Sequence, residues 1–462
     1  MRLNQILIGL GLLLLLAPIV LPAPPGMSDT AWIALGLALV MALWWLTEAL
    51  PLPATALLPL AVAPILGIAA LEDTARSYSD PLVILFLGGF LIAKAIEKSS
   101  LHRRLAGVLL RLAGTSPRQV LAAIMLSTAF LSLWISNTAS AMVVAPIAAA
   151  IASSQRDYPD FGTTLMLGVA FSATIGGMGS LIGTPPNAIF ASYVSTTYGL
   201  NVGFAQWAAV GMPVALVLLL LAWLVLVWVS PRLGKKALTM SYGRQQAGMQ
   251  TAERRVAIVA GLTALAWLSR PLIEWLIPMI TLSDAGISML AALALFMIPD
   301  GENGRLLDWD TAGSLRWDVL ILFGGGLALA GIIQQSGLAD WIGSSVQLIA
   351  HWPQLTVLFV IAALIVYVGE LASNTAMAAI FLPIAGAVAT GLGTDPVAFI
   401  LPIALAASIG FMLPVATPPN AIVFASHAVT RSSMLRAGAP LDVIALFITL
   451  GAGSILGPLV FR

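Results

Sequence analysis

Apolar residues run along this chain in blocks separated by short polar gaps, and each block approaches the roughly 20 residues that an α-helix needs to cross a bilayer core about 30 Å thick. The blocks fall at residues 5–23, 30–50, 53–71, 80–110, 163–200, 205–230, 255–280, 284–299, 315–348, 395–428 and 440–460, and predict eleven crossings. Two more apolar stretches, 118–153 and 356–390, are each broken midway by Ser-Asn-Thr. Each half is too short to cross comfortably unless both halves return to the same side, so these predict re-entrant hairpins. The expected fold class is an all-α polytopic membrane protein. Residues 1–23 place Arg2 before a long apolar run with another span directly behind it, which reads as a first helix rather than a signal peptide.

Lys and Arg gather in cytoplasmic loops, which orients the spans. With the N-terminus inside, Arg2, Arg103, Arg104, Arg111, Arg118, Arg156, Arg232, Lys235, Lys236, Arg244, Arg254, Arg255, Arg305, Arg316, Arg431 and Arg436 all fall on the cytoplasmic side. Arg76 and Arg462 fall outside, with the C-terminus. This charge pattern points to a bacterial-type inner membrane. Basic residues flank the first hairpin, whereas the second, near Asp340 and His351, has no Lys or Arg beside it. One hairpin is therefore expected to open inward and the other outward.

The two halves of the chain repeat. Leu85-Phe86 and Gly88-Gly89 match Leu322-Phe323 and Gly325-Gly326 at an offset of 237, which also carries Leu101 onto Leu338, Ser136-Asn137-Thr138 onto Ser373-Asn374-Thr375, and Pro146 onto Pro383. After a short deletion, Thr184-Pro185-Pro186-Asn187 matches Thr417-Pro418-Pro419-Asn420. Inverted repeats whose interrupted helices match in position are the strongest sequence pointer to a carrier's binding site at the midplane. A single Gly- or Pro-rich break would more simply serve packing or a kink, but an ordered, duplicated pair per half does not fit that reading.

Composition narrows the chemistry. Of 462 residues, 60% are hydrophobic and 9% charged, far below the roughly 25% charged of soluble domains. A net charge of +1 offers no field for nucleic acid, and the absence of cysteine removes thiolate chemistry and Cys-ligated metals. Non-helical backbone at membrane depth requires a protein-lined or wet cavity, which places one around residues 136–138, 183–187, 373–375 and 416–420. The helix N-termini there offer free N–H groups to carboxylates, and carbonyls at C-terminal ends suit a small hard cation such as sodium. Asn137, Asn374, Thr138, Thr375, Thr184 and Thr417 add neutral donors and acceptors. Two similar halves meeting one ligand favour a molecule with a carboxylate at each end, such as a four-carbon dicarboxylate. With no Lys or Arg in these motifs, co-bound cations are the expected source of compensating charge.

Other ionisable residues carry structural expectations. Lys94 with Glu97, and Arg270 with Glu274, are spaced as helix ion pairs, with Lys98 near the inner end of its helix. Glu48 and Glu370 are expected to satisfy backbone donors beside a break rather than to bind a cation directly. His102, His351 and His427 are scattered, which argues against a metal site or catalytic dyad.

The Ser-Asn-Thr tips, the Thr-Pro-Pro breaks and the segment Trp44-Trp45-Leu46-Thr47-Glu48-Ala49-Leu50-Pro51 together resemble the divalent anion/sodium symporters, the INDY-type dicarboxylate carriers, over nearly the whole chain. The resemblance implies a homodimer in the lipid bilayer and an elevator mechanism. Residues 24–75 and 205–300 would be the fixed scaffold, and 80–200 with 315–430 the moving transport domain, between first and last helices at 1–23 and 440–462. It assigns substrate contact to Asn137, Thr138, Thr184, Pro185, Asn374, Thr375, Thr417 and Pro418. One sodium site would use Ser132, Ser136, Asn137 and Gly183, and the second Gly369, Ala372, Asn374 and Ala416. The sequence departs at Gly369, where sodium-coupled relatives carry Thr and where the repeat offset pairs it with Ser132. Sodium-coupled symport of succinate-, malate- or fumarate-like dicarboxylates is the first expectation, with no cofactor beyond sodium. Sodium-independent exchange of dicarboxylate or citrate is the second. An intramembrane enzyme is disfavoured, because no Gly-x-Ser-x-Gly elbow and no suitably placed carboxylate pair are found within the broken helices. A channel fits enclosed, discontinuous helices less well than alternating access does.

Overall fold

The computed structural model describes residues 2–111, 114–153, 160–230, 248–277, 279, 281–346 and 351–461. Arg156, Arg232, Lys235, Lys236, Arg244 and Arg462, used above for orientation, lie outside the described residues. The N-terminal part comprises α1 (Arg2–Val20), α2 (Asp29–Thr47), α3 (Leu52–Thr55), α4 (Leu58–Ile65) and α5 (Leu71–Arg76). The first repeat follows as α6 (Pro81–Lys98), α7 (Leu101–Arg111), α8 (Pro117–Ser132), α9 (Asn137–Ser153), α10 (Phe161–Met178), α11 (Pro185–Tyr198) and α12 (Phe204–Val229). Between the repeats stand α13 (Thr251–Leu276), α14 (Asp284–Met297) and α15 (Trp309–Gly313). The second repeat is α16 (Trp317–Gln335), α17 (Leu338–Val346), α18 (Gln354–Gly369), α19 (Asn374–Gly391), α20 (Pro396–Ala406), α21 (Pro418–Ala425) and α22 (Arg431–Val460). Seven helices thus recur in the same order.

Among the described residues, nine helical segments are long and apolar enough to cross a membrane, so this is an integral membrane protein. Eight coincide with expected crossings. The ninth is α19, the second arm of a hairpin, while the expected spans 53–71, 284–299 and 395–428 are built from shorter apolar helices. Several blocks that read as continuous are interrupted. Block 80–110 breaks at Ser99 and Ser100, where Ser100 takes a left-handed φ of 61°, and block 315–348 breaks at Ser336 and Gly337, where φ is 79°. Hydropathy does not register such breaks, because one left-handed residue changes the direction of the chain without changing its polarity. The last helix begins at Arg431, earlier than the apolar run at 440, because a Thr430–Ser433 capping box closes its polar first turn.

Both interrupted stretches fold as two helices joined at the Ser-Asn-Thr break, α8 with α9 and α18 with α19, each pair of arms in contact. At the centre lies α10, every residue of which is buried from Thr164 to Met178. A helix apolar on all sides belongs inside a bundle, and within a bilayer close packing replaces the hydrophobic effect as the cohesive force. Gly176 illustrates it, since a Cβ there would collide with the backbone of Ala129 in α8. The repeats interlock: α9 packs on α21 and α19 on α11, so each hairpin meets the broken helix of the other half. Helix α12 packs on α10 and α22.

Candidate functional site

The first tip begins with Ser132, the last residue of α8. Its wholly buried hydroxyl lies 2.6 Å from Asn137 Oδ1 and 2.7 Å from Ala173 O in α10, two acceptors for its single proton. Ser136 caps the second arm by accepting from Ala139 N at 3.2 Å. Asn137 and Thr138 open α9. Opposite the tip, the chain leaves α10 at Gly179 and re-enters a helix at Pro185, because proline at the first helical position supplies the right φ and needs no N–H acceptor. Asn187 fastens this break. Its Nδ2 donates to Gly177 O at 3.1 Å, near the end of α10, and to Ser180 O at 2.8 Å in the loop beyond it. A side chain at Gly183 would collide with Gly177 O, so only glycine lets the two segments approach. Ser132, Asn137, Gly183 and Asn187 are therefore gathered around the end of α10.

The second half repeats this construction in detail. Asn420 Nδ2 donates to Gly410 O at 3.1 Å and to Leu413 O at 2.9 Å, at positions 233 residues beyond those of the first half. Thr417 caps α21 by accepting from Asn420 N at 3.4 Å, whereas Thr184 makes no such capping bond to α11. Asn374 and Thr375 open α19, and Ala372 and Ala416 are both buried.

The halves differ where the hydroxyl is missing. Asn137 Oδ1 receives Ser132, but the buried Oδ1 of Asn374 has no donor, because Gly369 stands in the place of Ser132. Room for a side chain exists, since a Cβ on Gly369 would meet nothing nearer than Met377 Cγ at 3.8 Å. Asn187 Oδ1 and Asn420 Oδ1 are likewise buried without donors.

The expected role of Glu370 is found: its carboxylate accepts from Met412 N at 2.9 Å and Leu413 N at 2.7 Å in the second break. That of Glu48 is not. Glu48 is exposed at the C-terminal end of α2 in a left-handed conformation, φ 49°, and among the described residues it accepts no bond from the backbone. Lys94 and Glu97 pair at 2.9 Å. Arg270 lies 3.7 Å from Glu274, but its closer partner is Asp284 at 2.9 Å, on the next helix and too distant in sequence for helical spacing to find. Sequence reasoning also gave Asn187 and Asn420 no role beyond the repeat, and missed Asp442, which is wholly buried in α22 and accepts from Phe411 N at 3.1 Å. An acidic residue inside an apolar run was the available signal for Asp442.

Comparisons with known proteins agree with this architecture. Residues 4–462 match the family described as the sodium:sulfate symporter transmembrane region. The sodium-dependent dicarboxylate transporter SdcS of Staphylococcus saprophyticus is 35% identical over 95% of this chain and 88% of its own length. SdcS of Staphylococcus aureus strain USA300 is 35% identical over 96% of this chain and 89% of its own. Among solved structures, the Alcanivorax borkumensis YdaH transporter, described as having an unusual topology, superposes with a TM-score of 0.62 over 98% of this chain and 97% of its own at 15% identity, a likeness of fold alone. With its duplicated hairpins and breaks and its full-length match, this chain belongs to the sodium:sulfate symporter family, the divalent anion/sodium symporters that its motifs resemble.

Proposed function

We propose that this protein is a secondary carrier that moves a C4-dicarboxylate such as succinate, malate or fumarate together with sodium. The observation that carries the reading is 35% identity to sodium-dependent dicarboxylate transporters over 95% of the chain. Substrate carboxylates would bind at the N-terminal ends of α9, α11, α19 and α21, where free N–H groups and the helix dipole favour anions. Asn137, Thr138, Thr184, Pro185, Asn374, Thr375, Thr417 and Pro418 would line that site. Sodium, as co-transported cargo, would be held at Ser132, Ser136, Asn137 and Gly183 in one half and at Gly369, Ala372, Asn374 and Ala416 in the other. The family resemblance implies an elevator in a homodimer, and the distribution of Lys and Arg favours a cytoplasmic N-terminus and an outer C-terminus in a bacterial-type inner membrane. The packing of α12 on α10 and α22 favours grouping α12 with the moving hairpins rather than with a scaffold of 24–75 and 251–300.

Sodium-independent exchange is the second reading, favoured by the donor-less Asn374 Oδ1 beside Gly369. Uptake of labelled succinate into proteoliposomes separates the two. Sodium-driven accumulation in empty vesicles is expected. Uptake only into dicarboxylate-preloaded vesicles, indifferent to sodium, would establish exchange, and no dicarboxylate uptake in either condition would refute the substrate class.

A further inference from the structure

A cavity of about 180 Å³ lies between the first hairpin and α13. Its inner wall includes the buried Ile96, Leu131 and Ile135, and its mouth carries Phe130 and Gly261, both exposed. On the α13 side the wall is Ala257, Ala260, Gly261 and Ala264, whose small side chains keep the two elements apart at this level without filling the space. Among the lining side chains the Trp134 indole alone can hydrogen-bond, whereas a buried water needs about two to four polar partners. The space therefore suits hydrocarbon. An apolar cavity of roughly 150 Å³ takes up a ligand the size of benzene, so this one has room for a segment of alkyl chain.

Depth and charge say which hydrocarbon. At about 1.5 Å per residue, Ala257, Gly261 and Ala264 stand about 9 to 20 Å along α13 from Thr251, the acyl-chain depth of one leaflet. Beside the mouth, Leu126 of α8 and Ile258, Leu262 and Leu265 of α13 are exposed, an apolar surface that only lipid chains suit. Toward the Thr251 end, Arg104 of α7 pairs with Glu253 at 2.8 Å, one turn from Ala257 and next to the lining residue Leu105. The adjoining Arg103 and Arg254 are exposed, and among the described residues neither forms an ion pair. Two such guanidinium groups at the membrane surface, above a cavity of acyl-chain depth, are complementary to a lipid phosphate.

We propose that this cavity is a binding site for an anionic phospholipid, with one acyl chain between the first hairpin and α13 and the phosphate at Arg103 and Arg254. Within a bilayer the chain gains nothing from leaving water, so affinity rests on dispersion contacts with the cavity walls and on the headgroup charge. The site joins two parts that an elevator would move past each other. Phe130 and Trp134 belong to the hairpin that also carries Ser132 and Ser136, and α13 lies in the scaffold of residues 251–300. Resting on the carrier reading, the consequence is that the bound chain braces the hairpin against α13 and slows transport.

The test titrates the purified full chain in detergent with dioleoyl phosphatidylglycerol, dioleoyl phosphatidylcholine and glycerol phosphate, reading bound molecules by native mass spectrometry. Phosphatidylglycerol should bind about tenfold or more tightly than phosphatidylcholine, and glycerol phosphate, which has the charge without the chain, should not bind. Gly261→Phe and Ala264→Phe fill the cavity from α13, and a Cβ on Gly261 meets nothing within 4 Å, so Gly261→Phe should fold. Each should weaken phosphatidylglycerol about fivefold or more. Arg103→Gln with Arg254→Gln should remove the preference between the two lipids. A phosphatidylglycerol brominated in mid-chain, added in stoichiometric amount, should quench a wild-type emission component that Trp134→Phe lacks, a readout that needs no cavity-filling variant. Unchanged phosphatidylglycerol binding in folded Gly261→Phe, or no quenching of Trp134, would overturn the placement of the chain. Equal wild-type affinity for the two lipids would overturn that of the phosphate. In phosphatidylcholine vesicles, added phosphatidylglycerol should slow succinate uptake by wild type more than by Gly261→Phe, and equal slowing would refute the brace. If wild type takes up no succinate, the carrier reading fails, while the titration and the quenching still decide the lipid site.

Discussion

The pair Ser132→Ala and Gly369→Ser removes a hydroxyl from one half and installs it in the other. In the first half the Ser132 hydroxyl is wholly buried and has one proton for two acceptors, Asn137 Oδ1 at 2.6 Å and Ala173 O at 2.7 Å. Alanine loses one net hydrogen bond and leaves both acceptors without it, a cost of about 2–3 kcal/mol. In the second half, serine at 369 meets only Met377 Cγ, at 3.8 Å, and can reach toward the donor-less Asn374 Oδ1. It should gain about 1 kcal/mol from that bond or, with sodium present, from an added ligand. A gain of that size made only in the sodium-bound state lowers half-saturating sodium about fivefold. The assay is sodium-dependent succinate uptake, with the sodium-induced shift in thermal stability of purified protein as a readout free of transport. Gly369→Ser should steepen and strengthen the sodium response and Ser132→Ala weaken it. The reasoning fails if both variants fold and neither changes half-saturating sodium, for then these two positions do not serve the cation.

Asn187→Ala and Asn420→Ala each remove a donor serving two carbonyls in matching geometry, and should destabilise the purified protein by similar amounts, about 2–4 kcal/mol; a large inequality in their thermal unfolding would mean that the breaks are not equivalent in energy. Arg270 and Asp284 are both buried and paired at 2.9 Å, with Asp284 also accepting from Phe204 N at 2.7 Å, so Arg270→Met alone should cost about 3–5 kcal/mol by stranding a buried charge. The double variant with Asp284→Asn should recover part of that loss, and a double-mutant cycle with no coupling would refute the pairing. In the surface loop, the hydrogen bond from Lys98 holds the Asp308 carboxyl well below its ordinary range. A depressed carboxylate contributes stability above its unfolded value of about 4, lost as pH falls through the lower folded value. The stability difference between wild type and Asp308→Asn should therefore be present at neutral pH and vanish in strong acid, and a difference independent of pH would rule out the ion pair as its source.

Hydropathy alone determined that the chain is a helical membrane protein, and the two apolar runs broken by Ser-Asn-Thr fall on the helix pairs α8–α9 and α18–α19, because the bilayer imposes one length and one polarity on every span. The repeated Ser-Asn-Thr and Thr-Pro-Pro motifs also marked where the helices break, since proline at a helix start and a polar tip in an apolar run are local signals. What the sequence could not supply was partnership across the fold. Asp284 rather than Glu274 is the nearer partner of Arg270, Asp442 shares the second break with Glu370, and Asn374 lacks the donor that Asn137 has. The kinks at Ser100 and Gly337 were hidden as well, because they change only the backbone's handedness. Each of these depends on which segments the interlocked repeats bring into contact: hydrogen bonds and charges act over a few ångströms of space, and residues they join, such as Lys98 and Asp308, stand 210 positions apart.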